Sequence, residues 1–161
     1  MAEVLGDCKS LVHLNLRFNM IDAEGVQMLA PKLGHCPALA HLVLAGNGLG
    51  PRNLGWLEGM LQECKALSHL DLSETQISDV GVGIMARALG ECRALAHLNL
   101  SFNWISPLGA GRLAGVLGQC KTLTRLDVRH NHIIGEGLGS NAEHCSETRL
   151  YAAARLSDSA L

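Results

Sequence analysis

"ALAHLNL", residues 94–100, decides the fold, because it has three near-copies upstream: "SLVHLNL" at 10–16, "ALAHLVL" at 38–44 and "ALSHLDL" at 66–72. Each copy lies 28 residues from the next, and a histidine holds the same place in all four: His13, His41, His69 and His97. The cysteines keep the same beat. Cys8, Cys36, Cys64, Cys92 and Cys120 are spaced by 28, and Cys145 follows after 25. Self-similarity at a fixed period in this range marks a solenoid, in which one supersecondary unit is stacked repeatedly.

Counting from each of the first four cysteines, leucines stand at +3, +6 and +8, as Leu95, Leu98 and Leu100 do after Cys92; after Cys120 come Leu123, Leu126 and Val128. At +11 come Asn19, Asn47, Thr75, Asn103 and Asn131, and at +13 Ile21, Leu49, Ile77, Ile105 and Ile133. The framework is C-x-x-L-x-x-L-x-L-x-x-N-x-[IL]. Its L-x-L segment alternates with period two, as a half-buried strand does. The second half of each unit reads as a helix. In "SPLGAGRLAGVLGQC", residues 106–120, Ser106 is the expected N-cap and Pro107 the first helical residue. Leu113, Val116 and Leu117 recur at helical spacing, and Gly118 is the expected stop. Asp22 and Ser78 hold the capping place elsewhere. Glycines recur at the helix end (Gly6, Gly34, Gly90, Gly118) and near its start (Gly25, Gly81, Gly109, Gly137, with Asn53 in the second unit). The latter imply either positive φ or a close backbone approach.

A strand and a helix per unit give an α/β fold: a right-handed solenoid of about five repeats, with a curved parallel sheet on the concave side and helices on the convex side. The solenoid is assigned to residues 1–134, and residues 135–161 to a degenerate last repeat with a tail or cap. The framework resembles the leucine-rich repeat of the ribonuclease-inhibitor subtype, the type also found in NOD-like receptors. The resemblance implies a ladder of hydrogen bonds from Asn19, Asn47, Asn103 and Asn131 to neighbouring backbone, interrupted at Thr75. It also implies a protein-binding concave surface, as part of a larger receptor or regulator. An alternative from the same resemblance is a small-GTPase-activating regulator of the Ran type. A third is an engineered or scaffold array without a natural partner. "MAEVLGDC" aligns with "LAGVLGQC", so the chain begins inside a helix with no capping unit before it. A fragment, or self-association through uncapped ends, is the expectation from that.

Composition narrows the classes. Of 161 residues 48% are apolar and only 3% aromatic, so the core is built mainly of aliphatic side chains. A formal charge of −2 gives no general pull toward nucleic acid or anionic membrane. No apolar run is long enough to span a bilayer, and no secretory signal is visible. The cysteines are expected in the core as free thiols, which suits a reducing compartment, the cytoplasm.

The histidines precede a buried leucine, so alternation turns them onto the concave face as a row about 14 Å long at ~4.8 Å per strand. A straight row does not surround an ion, so no metal site is assigned. Stacked imidazoles oppose one another's protonation, so the row is expected to titrate low and broadly. It repeats because the whole unit repeats.

The outward strand positions are His13, Asn15, Arg17; His41, Val43, Ala45; His69, Asp71, Ser73; His97, Asn99, Ser101; and Arg125, Asp127, Arg129. Phe18, Met20, Phe102, Trp104, His130 and His132 line the rim beyond. Aromatic and arginine residues dominate binding hot spots, so the concave positions with Phe18, Phe102 and Trp104 form the expected partner surface. Trp104 is assigned either to that surface or to packing on a neighbouring loop, and Trp56 to packing between helices. No activated nucleophile, phosphate loop, HExxH or carboxylate dyad appears, so no catalytic residue and no cofactor is assigned.

Overall fold

The computed structural model describes residues 8–50 and 54–133. Gly6, Asn53, Gly137, Cys145, the N-terminal helix and the tail lie outside the described residues. Strands and helices alternate: β1 His13–Asn15, α1 Ala23–Gly34, β2 His41–Val43, α2 Gly55–Glu63, β3 His69–Asp71, α3 Asp79–Glu91, β4 His97–Asn99, α4 Pro107–Leu117 and β5 Arg125–Asp127. The five strands form one parallel sheet in chain order β1-β2-β3-β4-β5. Register is strictly 28: His13 pairs His41, which pairs His69, then His97, then Arg125. Each helix packs against the next along the convex side.

Leu42, Leu44, Leu70, Leu72, Leu98 and Leu100 are buried between sheet and helices. At the outer strands, where one neighbour is missing among the described residues, Leu14 and Leu126 are only partly covered. Full burial of a leucine stabilises by about 1.5–3 kcal/mol, and here each unit needs its neighbour to obtain it. The cysteines behave as core hydrophobes. Cys36, Cys64, Cys92 and Cys120 are buried and unbridged, and Cys8 is partly exposed. Burial, with smaller effects from Cys36, Glu63 and Cys92, pushes the Cys64 thiol up to about 11. Its Sγ–H donates to Leu33 O of the preceding helix at 3.1 Å.

The helix ends follow their sequence signals in part. Asp22 accepts from Gly25 N–H at 2.8 Å and Ser106 from Leu108 N–H at 3.2 Å. Ser78 holds the same place but makes no capping bond to its helix. There Asp79 reaches across the unit boundary instead, its carboxylate taking the Ser106 N–H at 2.8 Å and hydroxyl at 2.5 Å. Gly109 is explained by this crossing: a Cβ there would collide with Asp79 Oδ1 and stand 2.8 Å from Ile105 Cγ2. At Gly109, close approach rather than positive φ is therefore the reason for glycine near the helix start. Gly118 stands at the C-cap of α4, the stop expected of it, at φ −64 and so outside the left-handed region; a Cβ on Gly34 would lie 2.8 Å from the Glu63 carboxylate of the next helix.

The +11 side chains join the units. Asn103 Nδ2 donates to Leu72 O at 2.9 Å and Leu100 O at 3.0 Å, while its Oδ1 accepts from Thr75 N–H at 3.1 Å and Ile77 N–H at 2.9 Å. Asn47 repeats the pattern on Leu16, Leu44, Asn19 and Ile21. Asn131 donates to Leu100 and Val128 and accepts from Ile105. Thr75 donates to Leu72 O of its own unit at 2.6 Å and, among the described residues, makes no bond back to the second unit. Asn19 turns its amide to Arg17 O in its own unit. Replacing Asn103 by alanine strands several buried backbone groups, each at about 1–3 kcal/mol, so Asn103→Ala should cost about 3 kcal/mol or more and Thr75→Ala about 1–2 kcal/mol. Urea unfolding followed by circular dichroism checks the difference.

Candidate functional site

Three parallel rows of side chains cross the concave sheet, one from each outward strand position. The first is the imidazole row. Ring centroids of His13 and His41 are 5.0 Å apart and nearly parallel, those of His41 and His69 4.1 Å, and those of His69 and His97 4.2 Å with the planes turned edge-on. Register continues the row into Arg125. Ser68 Oγ lies 2.8 Å from His69 Nδ1. Desolvation first, then His97, His41 and His13, holds the His69 pKa below the usual imidazole value. Neighbouring imidazoles thus oppose protonation of His69.

The second row is Asn15, Val43, Asp71, Asn99 and Asp127. Four of these have a backbone task that spacing alone did not disclose. Asn15, Asp71, Asn99 and Asp127 each accept, through Oδ1, the N–H of the residue two positions on, at 2.9–3.0 Å. Short Asn and Asp side chains suit this local turn. Asp127 is further gripped by Arg129, whose Nε donates to both carboxylate oxygens at 3.0 Å. Those bonds hold the Asp127 carboxyl below its ordinary range, although burial opposes them.

The third row corrects an expectation. Ala45, Ser73 and Ser101 are buried, and only Arg17 and Arg129 at its two ends are exposed. Small residues are required there because the chain turns over them into the rim. Phe18, Gly46, Glu74, Phe102 and His130 all take φ between 53° and 66°. Only one of the five is glycine, and the other four each carry a left-handed conformation that costs about 1–2 kcal/mol. The turn recurs because each of the first four residues donates its N–H to the next unit, as Phe18 does to Ala45 O at 2.9 Å and Phe102 to Arg129 O at 3.0 Å. The single glycine at Gly46 was the available signal, and it was too weak to read. Gly46 also makes room, since a Cβ there would collide with the Phe18 ring.

This turn presents the rim residues. Phe18 is 61% exposed and Trp104 52%. The Arg17 guanidinium stands 4.8 Å from the Phe18 ring centre and 3.4 Å from Glu74, and Phe102 stacks on His130 at 4.1 Å. Trp104 is about half covered, and its backbone bridges Ser78 of the neighbouring unit, its N–H donating to Ile77 O at 2.8 Å. The structure thus brings the imidazole row, Asp71, Asn99, Arg125 and Asp127 around one shallow hollow of about 280 Å³. Arg17, Phe18, Phe102, Trp104 and Arg129 stand outside it on the edge. A second hollow, about 650 Å³, lies on the opposite side between α1 and α2, where Trp56 packs and its buried Nε1 has no hydrogen-bond partner among the described residues. One charged feature went unread in the sequence. The turns leading into the strands carry exposed Lys9, Lys65, Arg93 and Lys121, all at the position after the repeat cysteine.

The leucine-rich repeat model matches residues 7–30, 63–83, 91–114 and 119–140, more than half of the sequence. The chain belongs to the leucine-rich repeat family. No curated protein matches it significantly. Among solved structures, it is similar to the Caenorhabditis elegans tropomodulin C-terminal domain, with a TM-score of 0.72 at 12% identity over 96% of this chain and 93% of that one. It is also similar to the leiomodin-1 structure described as actin-binding site 2, with a TM-score of 0.65 at 15% identity over 83% and 90% of the two chains. At such identities the likeness is one of fold. No helix among the described residues is long and apolar enough to cross a membrane.

The His69 shift has a sign that can be checked. With its pKa depressed in the folded state, the unfolded chain binds more protons as pH falls through the ordinary value of 6.5. Stability should therefore fall on acidification through that value and level off below the depressed one. Thermal unfolding across this window should show the loss, and His69→Gln should make it smaller.

Proposed function

We propose that this chain is a protein-recognition module of the ribonuclease-inhibitor subtype, seating a partner across the concave face and the adjoining rim. The observation that carries the reading is the exposure of Phe18, Phe102 and Trp104 beside Arg17 and Arg129. Large aromatics are scarce in this chain, and of its two phenylalanines both stand on the rim. Aromatic and arginine side chains supply most of the energy of protein interfaces. They are displayed by a turn whose backbone is already constrained, so little order remains to be imposed on binding. Recognition then needs shape and charge complementarity and no bond-making chemistry.

The proposed contact set is His13, Asn15, Arg17, Phe18, His41, His69, Asp71, His97, Asn99, Phe102, Trp104, Arg125, Asp127 and Arg129. Buried free thiols support a cytoplasmic setting. Similarity to a leiomodin-1 region described as actin-binding makes actin the first candidate partner to assay.

A triple variant, Arg17→Ala with Trp104→Ala and Arg129→Ala, removes exposed anchors without touching the core. Cross-linked capture from lysate, with purified actin as a separate arm, should fall by about tenfold or more, which is about 1.4 kcal/mol of binding. The melting temperature should move little, because exposed ion pairs contribute only about 0–1 kcal/mol. Capture at the parental level by a folded variant would remove these residues from the interface.

A further inference from the structure

We propose that His13, His41, His69, His97 and Arg125 form a docking strip for an acidic peptide segment, one that tightens as the imidazoles take up protons. The inference rests on the concave-face reading and names the chemistry of the partner that face accepts. Three independent observations carry it.

Geometrically, the five side chains stand in strict register, one per strand, with imidazole centroids 4.1–5.0 Å apart. Repeat duplication accounts for the histidines. It does not account for the fifth place, where the residue is different yet still basic. In charge, the strip has one permanent cation, Arg125, and four imidazoles, the side-chain type whose charge responds to pH nearest neutrality. Alongside, four of the five turns entering the strands expose a base: Lys9, Lys65, Arg93 and Lys121. Glu63, the acid nearest Lys65 in sequence, is directed to Gly34 of the neighbouring helix.

The groups facing the row from the rest of the sheet complete the pattern. Asp127 of β5 is occupied by Arg129 on both oxygens. Asp71 of β3 gives one oxygen to Ser73 N–H. Ser68 Oγ bonds His69 from the residue before β3. Asp71 beside the row, together with the net charge of −2, disfavours a uniformly charged polymer such as nucleic acid, which needs a broad positive field. A peptide can oppose carboxylates to the row and leave a neutral donor over Asp71.

Proton linkage follows from the stacking. At His69, desolvation and then the neighbouring imidazoles oppose protonation. A carboxylate between neighbours relieves that cost, and binding then draws protons onto the strip.

Fluorescence anisotropy of a labelled octapeptide alternating aspartate with serine, with the whole chain at about pH 7.5 and about pH 5.5, reads the effect directly. Affinity should be about tenfold or more tighter at the lower pH. His41→Gln with His69→Gln, shown by thermal melting to stay folded at both values, should lose most of that gain. On the unsubstituted chain, the peptide should shift the midpoints of the imidazole proton resonances upward. Affinity independent of pH, or an equal pH response in the double variant, overturns the proposal. So does an oligothymidylate that binds as tightly as the peptide, since that marks a general polyanion surface. Failure here with capture still lost in the rim variant removes only the acidic-peptide strip. Failure of the rim variant to lose capture removes the concave-face reading itself.

Discussion

Neighbouring units are joined by a buried amide that each serves in the other. Asn103 stands at 2% exposure and holds four backbone groups from two units within 2.9–3.1 Å. No water reaches those groups, so their partners must be internal, and only a side chain with both a donor and an acceptor end supplies them. The constraint sets the spacing of everything else. A one-residue slip of one strand against the next would move the amide off its carbonyls and turn that strand's leucines to the wrong face.

The same constraint produces the surface. Strict register converts a position in the repeat into a line across the molecule, so each outward position becomes a row. A row of imidazoles, a row of Asn and Asp bonded to their own turns, and a row of small buried residues follow from one unit copied with variation. Where the copies diverge, the surface acquires identity: Val43 interrupts the Asn/Asp row, Arg125 ends the histidines, and Trp104 stands where the other units have Met20, Gly48, Gln76 and His132.

Much of the fold was legible because the period announced itself several times over. Cys92, Leu98, Asn103 and Ile105 each point to the same boundaries, and the Ser106-Pro107 start of α4 reads directly from its chemistry. The expected leucine burial and the concave imidazole row both stand in the structure. Backbone conformation was less legible. Nothing in Phe18, Glu74 or Phe102 announces a left-handed residue, because the turn is imposed by bonds to the next unit rather than by local preference. The cross-unit role of Asp79 was hidden for the same reason. Ser73 and Ser101 look like surface in a strand pattern, yet the turn closes over them. The candidate site was legible in its membership, but only the structure separates the residues around the hollow from those on its edge.

The central claim is that residues 28 apart lie side by side from one end of the described solenoid to the other. Nuclear Overhauser contacts between imidazole protons test it most directly, using selectively labelled histidine. The account predicts cross-peaks for His13 with His41, His41 with His69 and His69 with His97, and none between His13 and His69 or between His41 and His97. A folded protein in which those neighbour peaks are missing, or in which the histidines pair at another offset, would contradict it.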